Sequence, residues 1–254
     1  MKITVLQTDI VRAEPKENIS RLSKAIAALP ETDLILLPEM FTTGFVMEPQ
    51  WCAEEENGIG PEWMAATAKA RNCAVAGSIA IRRNGQFFNR FHFVKPDGSI
   101  TVCDKHHLFT YSGEDQRFTA GDRRVTVEFR GVRFLLLVCY DLRFPVWSRN
   151  TGDYDAILYV ASWPEPRTYV WRTLLRARAI ENQCWVIGAN RVGDDEGGHY
   201  VGASAVIDHL GHTVAECRDD AEESVSANID MQTVRAFREK FPAWKDADEF
   251  VIKG

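Results

Sequence analysis

Five consecutive residues, Phe134-Leu135-Leu136-Leu137-Val138, restrict the fold more than any other stretch of this chain. A strand with apolar side chains on both faces must be covered on both faces, so the run reads as an interior strand between two layers. It stops at Cys139, and polar and charged residues follow at once in CYDLRFPVWSRN. Pro145 there suits the first turn of a short helix, where its missing N–H costs nothing. A thiol at a strand-to-helix turn is held rigidly, faces solvent and lies near unpaired backbone N–H groups, the placement of the nucleophile in other α/β hydrolases. Cysteine is equally a common small core residue, so Cys139 alone decides nothing.

The remaining chain alternates between strand-like and helix-like patterns. Residues 3–6 predict a strand, and Pro15 opens a helix with Ile19, Leu22, Ile26 and Leu29 at helical spacing. A short apolar strand over 34–37 ends at Pro38 and Glu39, a loop covers 41–60, and a helix runs from Pro61 to about Arg71. Strands over 73–81, 87–94 and 100–103 are separated by the turn signals Arg83-Asn84-Gly85 and Pro96-Asp97-Gly98. A polar and aromatic loop occupies 105–121, and a strand over 125–129 pairs across Gly131 with the apolar run. A strand over 156–161, a helix over 170–182, a strand over 184–189, a β-meander over 200–230 and a helix over 231–240 complete the chain. Buried runs, crossover helices and antiparallel pieces together predict an α/β fold: two mixed sheets face to face, each covered outside by helices, in one domain spanning residues 1–254.

Composition narrows the function. The chain carries a net charge of −6 with no Lys/Arg cluster resembling a phosphate-binding face, so nucleic acid is not an expected partner. Its six cysteines, at 52, 73, 103, 139, 184 and 217, show no metal-finger spacing. The N-terminal apolar run is short and broken by Thr4 and Gln7, unlike a signal peptide, and no segment approaches membrane-spanning length. These features predict a protein of the reducing cytoplasm, with no membrane partner. Adjacent His106 and His107, with His209 and His212, raise the question of zinc. Neighbouring strand residues point to opposite sides and no HExxH occurs, so no metal or cofactor is expected.

Three strand ends carry chemistry: Glu39 after LILLP, Lys105 after ITVCD and Cys139 after FLLLV. In α/β sheets sites form at the carboxyl ends of strands, so an acid, a cation and a thiol could meet on one rim and make a hydrolytic set. Individually, Glu39 could be a solvated residue closing a strand and Lys105 an exposed flanking lysine.

The strings LPEMFTTGF around Glu39, DKHHLF around Lys105, GEDQRFTAG around Glu114 and VCYDLRFP around Cys139 resemble the nitrilase, or carbon–nitrogen hydrolase, superfamily. LYVASWPEPR, LLRARAIENQ and WVIGANRVG extend the likeness over nearly the whole chain, and YDLRFPVWSRN and EKFPAWKDADEF look most like the bacterial ω-amidase branch, which acts on 2-oxoglutaramate and 2-oxosuccinamate. The resemblance implies a four-layer α-β-β-α sandwich and association as a homodimer or larger homo-oligomer. It also implies thiol-dependent amide hydrolysis without a cofactor: Glu39 as general base, Cys139 as nucleophile, Lys105 and the backbone N–H of Tyr140 as oxyanion donors, and Glu114 orienting Lys105. Other readings on the same fold are hydrolysis of N-carbamoyl amines or aliphatic amides, less readily of nitriles, and a non-enzymatic thiol sensor or binding protein. An ω-amide of a 2-oxo acid carries a carboxylate far from the reacting amide, which suits an arginine clamp. Arg143 and Arg167 are the candidates, and Phe45, Tyr111 and Trp163 are candidate walls that exclude water. Each of the five has an ordinary structural reading as well: the two arginines as a brace and a surface residue, the aromatic residues as core.

Overall fold

The computed structural model describes residues 1–251. The first sheet contains β1 (Lys2–Gln7), β2 (Leu34–Leu36), β3 (Ala74–Arg83), β4 (Gln86–Val94) and β5 (Ile100–Asp104), joined at its other edge by β14 (Glu223–Asn228). The second contains β6 (Thr126–Phe129), β7 (Val132–Val138), β8 (Ala156–Ala161), β9 (Trp185–Asn190), β12 (Ala205–Ile207) and β13 (Thr213–Glu216). Their orders are β14-β1-β2-β3-β4-β5 and β13-β12-β9-β8-β7-β6, and each has three parallel strands at its centre with antiparallel strands outside. Between β9 and β12, β10 (Val192–Asp195) and β11 (Gly198–Val201) form a separate two-stranded ribbon.

The period-2 alternation of the strands builds the layers. Ile3, Val5, Leu34, Leu36, Phe91 and Phe93 of the first sheet meet Phe134, Leu136, Val138, Leu158, Val160 and Ile187 of the second in one core between the sheets. The alternate residues face outward under helices. Leu6, Ile35, Leu37 and Val75 are covered by α1 (Pro15–Ala27) and α2 (Ile59–Arg71), whose Leu22, Ile26, Met64 and Ala68 lie at helical spacing. Leu135, Leu137, Tyr159 and Val186 are covered by α4 (Thr168–Asn182) through Trp171, Leu175 and Ala179. The four-layer α-β-β-α sandwich is thus present, and the unbroken apolar run is β7, buried on both faces. Two shorter helices, α3 (Pro145–Ser148) and α5 (Met231–Lys240), complete the chain's regular elements.

The 200–230 stretch differs from the meander read from sequence. Its strands belong to three sheets: β11 to the ribbon, β12 and β13 to the second sheet, and β14 to the first, where Val225 faces Val5. Pairing over more than 200 residues leaves no local signal, whereas the expected turn at Leu210 and Gly211 does form, with Asp208 accepting the N–H groups of Leu210 and His212.

Candidate active site

Strand direction brings the sequence-predicted residues to one rim. Two antiparallel steps from β3 make β5 run the same way as β2, so Glu39, three residues past β2, and Lys105, just past β5, leave the first sheet on the same edge. Cys139 and Ser162 follow β7 and β8 of the second sheet. The sheets are tied together here. The backbone N–H of Glu39 donates to the carbonyl of Ala161 at 3.4 Å, and the N–H of Ser162 donates to Glu39 Oε2 at 2.7 Å.

Glu39, Lys105 and Glu114 are buried. Lys105 Nζ donates to Glu39 Oε1 at 3.1 Å and to both Glu114 oxygens at 3.0 and 2.8 Å. Glu114 opens a one-turn helix and also accepts the backbone N–H of Phe109 at 2.6 Å. Burial disfavours the Lys105 ammonium, but Glu114 and then Glu39 more than offset it, and its pKa is raised. Burial likewise raises Glu114, with Lys105 opposing it. The loop after Lys105 closes on Gly121, whose N–H donates to the Lys105 carbonyl at 2.8 Å. A Cβ on Gly121 would stand 2.2 Å from the carbonyl oxygen of Asp104, so only glycine permits this approach.

Cys139 occupies the left-handed region with φ +46°, a conformation costing about 1–2 kcal/mol for a residue with a side chain. It begins a short 3-10 turn, Cys139–Arg143. Asp141 holds that turn: its carboxylate accepts the N–H of Val138 at 3.0 Å, the N–H of His107 at 2.9 Å and His107 Nδ1 at 2.8 Å. The nucleophile turn is therefore fastened to the segment that carries Lys105. Burial drives the Cys139 pKa well above the usual thiol value and Glu39 drives it further, with Lys105 and the Ser162 N–H pulling the other way. Burial and Glu39 thus favour the neutral thiol.

A small cleft of about 30 Å³ lies over Cys139, lined by Phe109, Tyr140, Arg143, Ser162, Trp163, Pro164 and Arg167. Both expected arginines are present, Arg143 over the Trp163 ring at 5.1 Å and Arg167 over the Phe109 ring at 5.3 Å. Neither forms an ion pair with an Asp or Glu of the described residues. Trp163 is held by paired hydrogen bonds with Asn190, 2.7 Å from its N–H and 3.0 Å to its carbonyl. The Phe45 ring centre lies 5.4 Å from Lys105 Nζ. Tyr111 lies outside the cleft, 86 % exposed on a one-turn helix, and Phe109 takes the inward position instead.

The carbon–nitrogen hydrolase family model matches residues 2–239. The chain belongs to that family. This carbon–nitrogen hydrolase is 46% identical to an Escherichia coli K12 protein named omega-amidase YafV, over 98% of each chain. It is 36% identical to a Bacillus subtilis 2-oxoglutaramate amidase, over 96% of each. It superposes with a TM-score of 0.97 on the crystal structure of XC1258 from Xanthomonas campestris, a carbon–nitrogen hydrolase superfamily protein with an arsenic adduct in its active site. That structure is 40% identical, and the match covers 100% of this chain and 99% of the other.

Asn89, Ser162, Asp141 and Phe109 were not among the residues read from sequence. Asn89 donates to Glu39 Oε1 at 2.6 Å, and its only sequence signal is a polar residue inside the apolar strand FFNRFHF. His106 stacks on Trp147 and His107 on Phe144, both at 3.7 Å. No cluster of three or more metal-ligating side chains occurs among the described residues, and no described helix is long and apolar enough to cross a membrane.

Proposed function

We propose that this carbon–nitrogen hydrolase cleaves the terminal amide of small 2-oxo acid ω-amides, such as 2-oxoglutaramate and 2-oxosuccinamate, to the dicarboxylate and ammonia. The observation that carries the reading is the buried Glu39–Lys105–Glu114 network beside a strained thiol, with two arginines lacking acidic partners on the same cleft. The names of the Escherichia coli and Bacillus subtilis relatives support the substrate class.

In this mechanism Glu39 accepts the thiol proton as Cys139 Sγ attacks the amide carbon and the carbonyl electrons move to oxygen. Lys105 and the Tyr140 N–H, in the first turn of a short helix with no intrahelical acceptor, stabilise the oxyanion. The oxyanion collapses, the C–N bond breaks, and ammonia leaves with the proton returned by Glu39. Water then gives a proton to Glu39 as its oxygen attacks the thioester, and the departing Cys139 sulfur recovers that proton. Glu114 holds Lys105. A guanidinium of Arg143 or Arg167 binds the distal carboxylate, and Phe45 and Trp163 exclude water.

The residues of both sheets complete one site, so residues 1–254 act as one domain. The chain works in the cytoplasm as a homodimer. Phe241, Trp244 and Phe250 of the tail and Val146 and Ile180 of α3 and α4 are exposed apolar side chains that a second copy would cover.

Ammonia release across ω-amides, N-carbamoyl compounds, aliphatic amides and nitriles tests the substrate class, with Cys139→Ala as blank and the buried Cys184→Ala as control. Turnover at the wild-type rate in Cys139→Ala, or an acyl-enzyme mass in Glu39→Gln equal to wild type, would overturn the mechanism.

A further inference from the structure

The donor count of Lys105 poses a difficulty for its place in the mechanism. An ammonium has three protons, and all three are committed, one to Glu39 Oε1 and two to Glu114. An oxyanion can take one only if a carboxylate gives it up. The contact to Glu39, at 3.1 Å, is the longest of the three. Its acceptor also loses charge in the same step, when Glu39 takes the thiol proton. Releasing that contact deprives Glu39 of its strongest electrostatic tie at the moment its orientation must be kept for returning the proton to nitrogen.

Asn89 meets that need. It is fully buried in β4, and its Nδ2 donates to the oxygen that Lys105 also holds, Glu39 Oε1, at 2.6 Å. The same Nδ2 lies 3.5 Å from Glu114 Oε1. Its main-chain carbonyl accepts the N–H of Lys105 at 2.9 Å. Its Oδ1 is buried and has no hydrogen-bond partner. Turning the amide over would satisfy nothing, because it would set Oδ1 against two carboxylates. The side chain leaves its own oxygen unpaired in order to donate to both acids, an arrangement that packing alone does not require.

We propose that Asn89 is a positioning residue for hydrolysis. It holds Glu39 in place by its 2.6 Å hydrogen bond while Lys105 redirects one N–H from Glu39 to the oxyanion. The proposal rests on the reading of Glu39 as base and Lys105 as oxyanion donor. It makes the amide N–H of Asn89, rather than its volume, the important property.

The test compares Asn89→Ala, which removes both volume and donor, with Asn89→Leu, which keeps much of the volume and loses the donor. Steady-state ammonia release, quenched-flow mass spectrometry of the thioester and thermal melting are measured for each. For Asn89→Ala, kcat is expected to fall about 10- to 100-fold, the range of a hydrogen bond to a charged group, with KM changed less than about threefold. Thioester formation should slow in proportion. Asn89→Leu should be at least as impaired as Asn89→Ala. Activity in Asn89→Leu nearer to wild type than in Asn89→Ala would mean that the residue fills space, and would overturn the proposal. Should Asn89→Leu fail to fold, Asn89→Ala decides: a rise in KM with kcat unchanged overturns it. Glu39→Gln and Lys105→Met run alongside. If either forms thioester at the wild-type rate, the underlying mechanism fails; if both are inactive and Asn89→Ala is unimpaired, only the present inference does.

Discussion

Removing the Asp141 carboxylate should cost both stability and catalysis, because this one side chain joins the nucleophile turn to the Lys105 segment. In Asp141→Ala the N–H groups of Val138 and His107, bonded at 3.0 and 2.9 Å, lose their acceptor inside the protein, and the His107 ring loses its partner at 2.8 Å. A buried backbone donor left unpaired costs about 1–3 kcal/mol, so the two together cost about 2–6 kcal/mol. A chain of this size melts lower by about 2–4 °C for each kcal/mol, which places the expected fall near 10 °C. Release of the Val138 cap also lets Cys139 leave its φ of +46° for a relaxed backbone, carrying the sulfur away from Glu39. A displacement of about 1 Å at the reacting atom costs about 100-fold in rate. Asp141→Asn keeps a single acceptor oxygen and must turn its NH₂ toward one of the two N–H groups, so its melting point should fall by roughly half as much. Calorimetry and ammonia release on the purified variants measure both effects. An Asp141→Ala protein melting within about 2 °C of wild type and retaining about a third of its kcat would refute the view that the strained turn is held by this carboxylate.

Substituting Arg143 and Arg167 singly by Met should raise KM for a 2-oxo acid ω-amide about 10- to 100-fold in at least one variant, while an uncharged aliphatic amide is unaffected; equal discrimination in both variants disposes of the clamp. His92 is buried, its Nδ1–H donates to the Arg90 carbonyl at 3.1 Å, and burial lowers its pKa to about 4. The unfolded chain takes up this proton near pH 6.5 and the native protein does not, so stability is full at neutral pH and falls between pH 6.5 and 4, by about 2 kcal/mol at pH 5. Urea denaturation of wild type and His92→Gln at both pH values measures the difference, and identical pH dependence in the two contradicts it. Sedimentation should give a mass above the 28.8 kDa of one chain, reverting to it in a Trp244→Glu variant; a monomeric wild type ends the dimer proposal.

Glu39, Lys105 and Cys139 were legible because each is a chemically conspicuous side chain set directly after an apolar run, and a strand end is the place where a run of that kind delivers a side chain to the sheet's rim. Asn89 and Ser162 were not legible for two different reasons. Ser162 acts through a backbone N–H that every residue but proline possesses, so its identity carries no signal. Asn89 lies within a strand that was assigned by its apolar content, where one amide reads as an interruption. The walls of the cleft were read by proximity in sequence, and that works for Arg143, which shares a turn with Cys139, and for Trp163 beside Ser162. It misplaces Tyr111, which stands exposed on the one-turn helix Thr110–Ser112 while Phe109, the residue before that helix, takes the inward place. The four layers followed from runs buried on both faces; the partner of β1 did not, because β14 lies more than 200 residues away.

In the proposed mechanism, the division of the site between two sheets lets a carboxylate serve as base to a thiol. Glu39 and Lys105 leave the first sheet and Cys139 leaves the second, so the acid and the sulfur approach across the gap between sheets. Two carboxylates face a single ammonium there, and a thiolate would bring a third negative charge into a buried space that already has an excess of one. Burial and Glu39 accordingly both raise the Cys139 pKa, which disfavours a free thiolate. The proposed mechanism therefore couples proton loss to attack on carbon, with the charge passing to an amide oxygen beside Lys105 instead of resting on sulfur. Under that mechanism the site is quiet until an electrophilic carbon occupies the cleft, and the network that disfavours the free thiolate is the same one that receives the oxyanion.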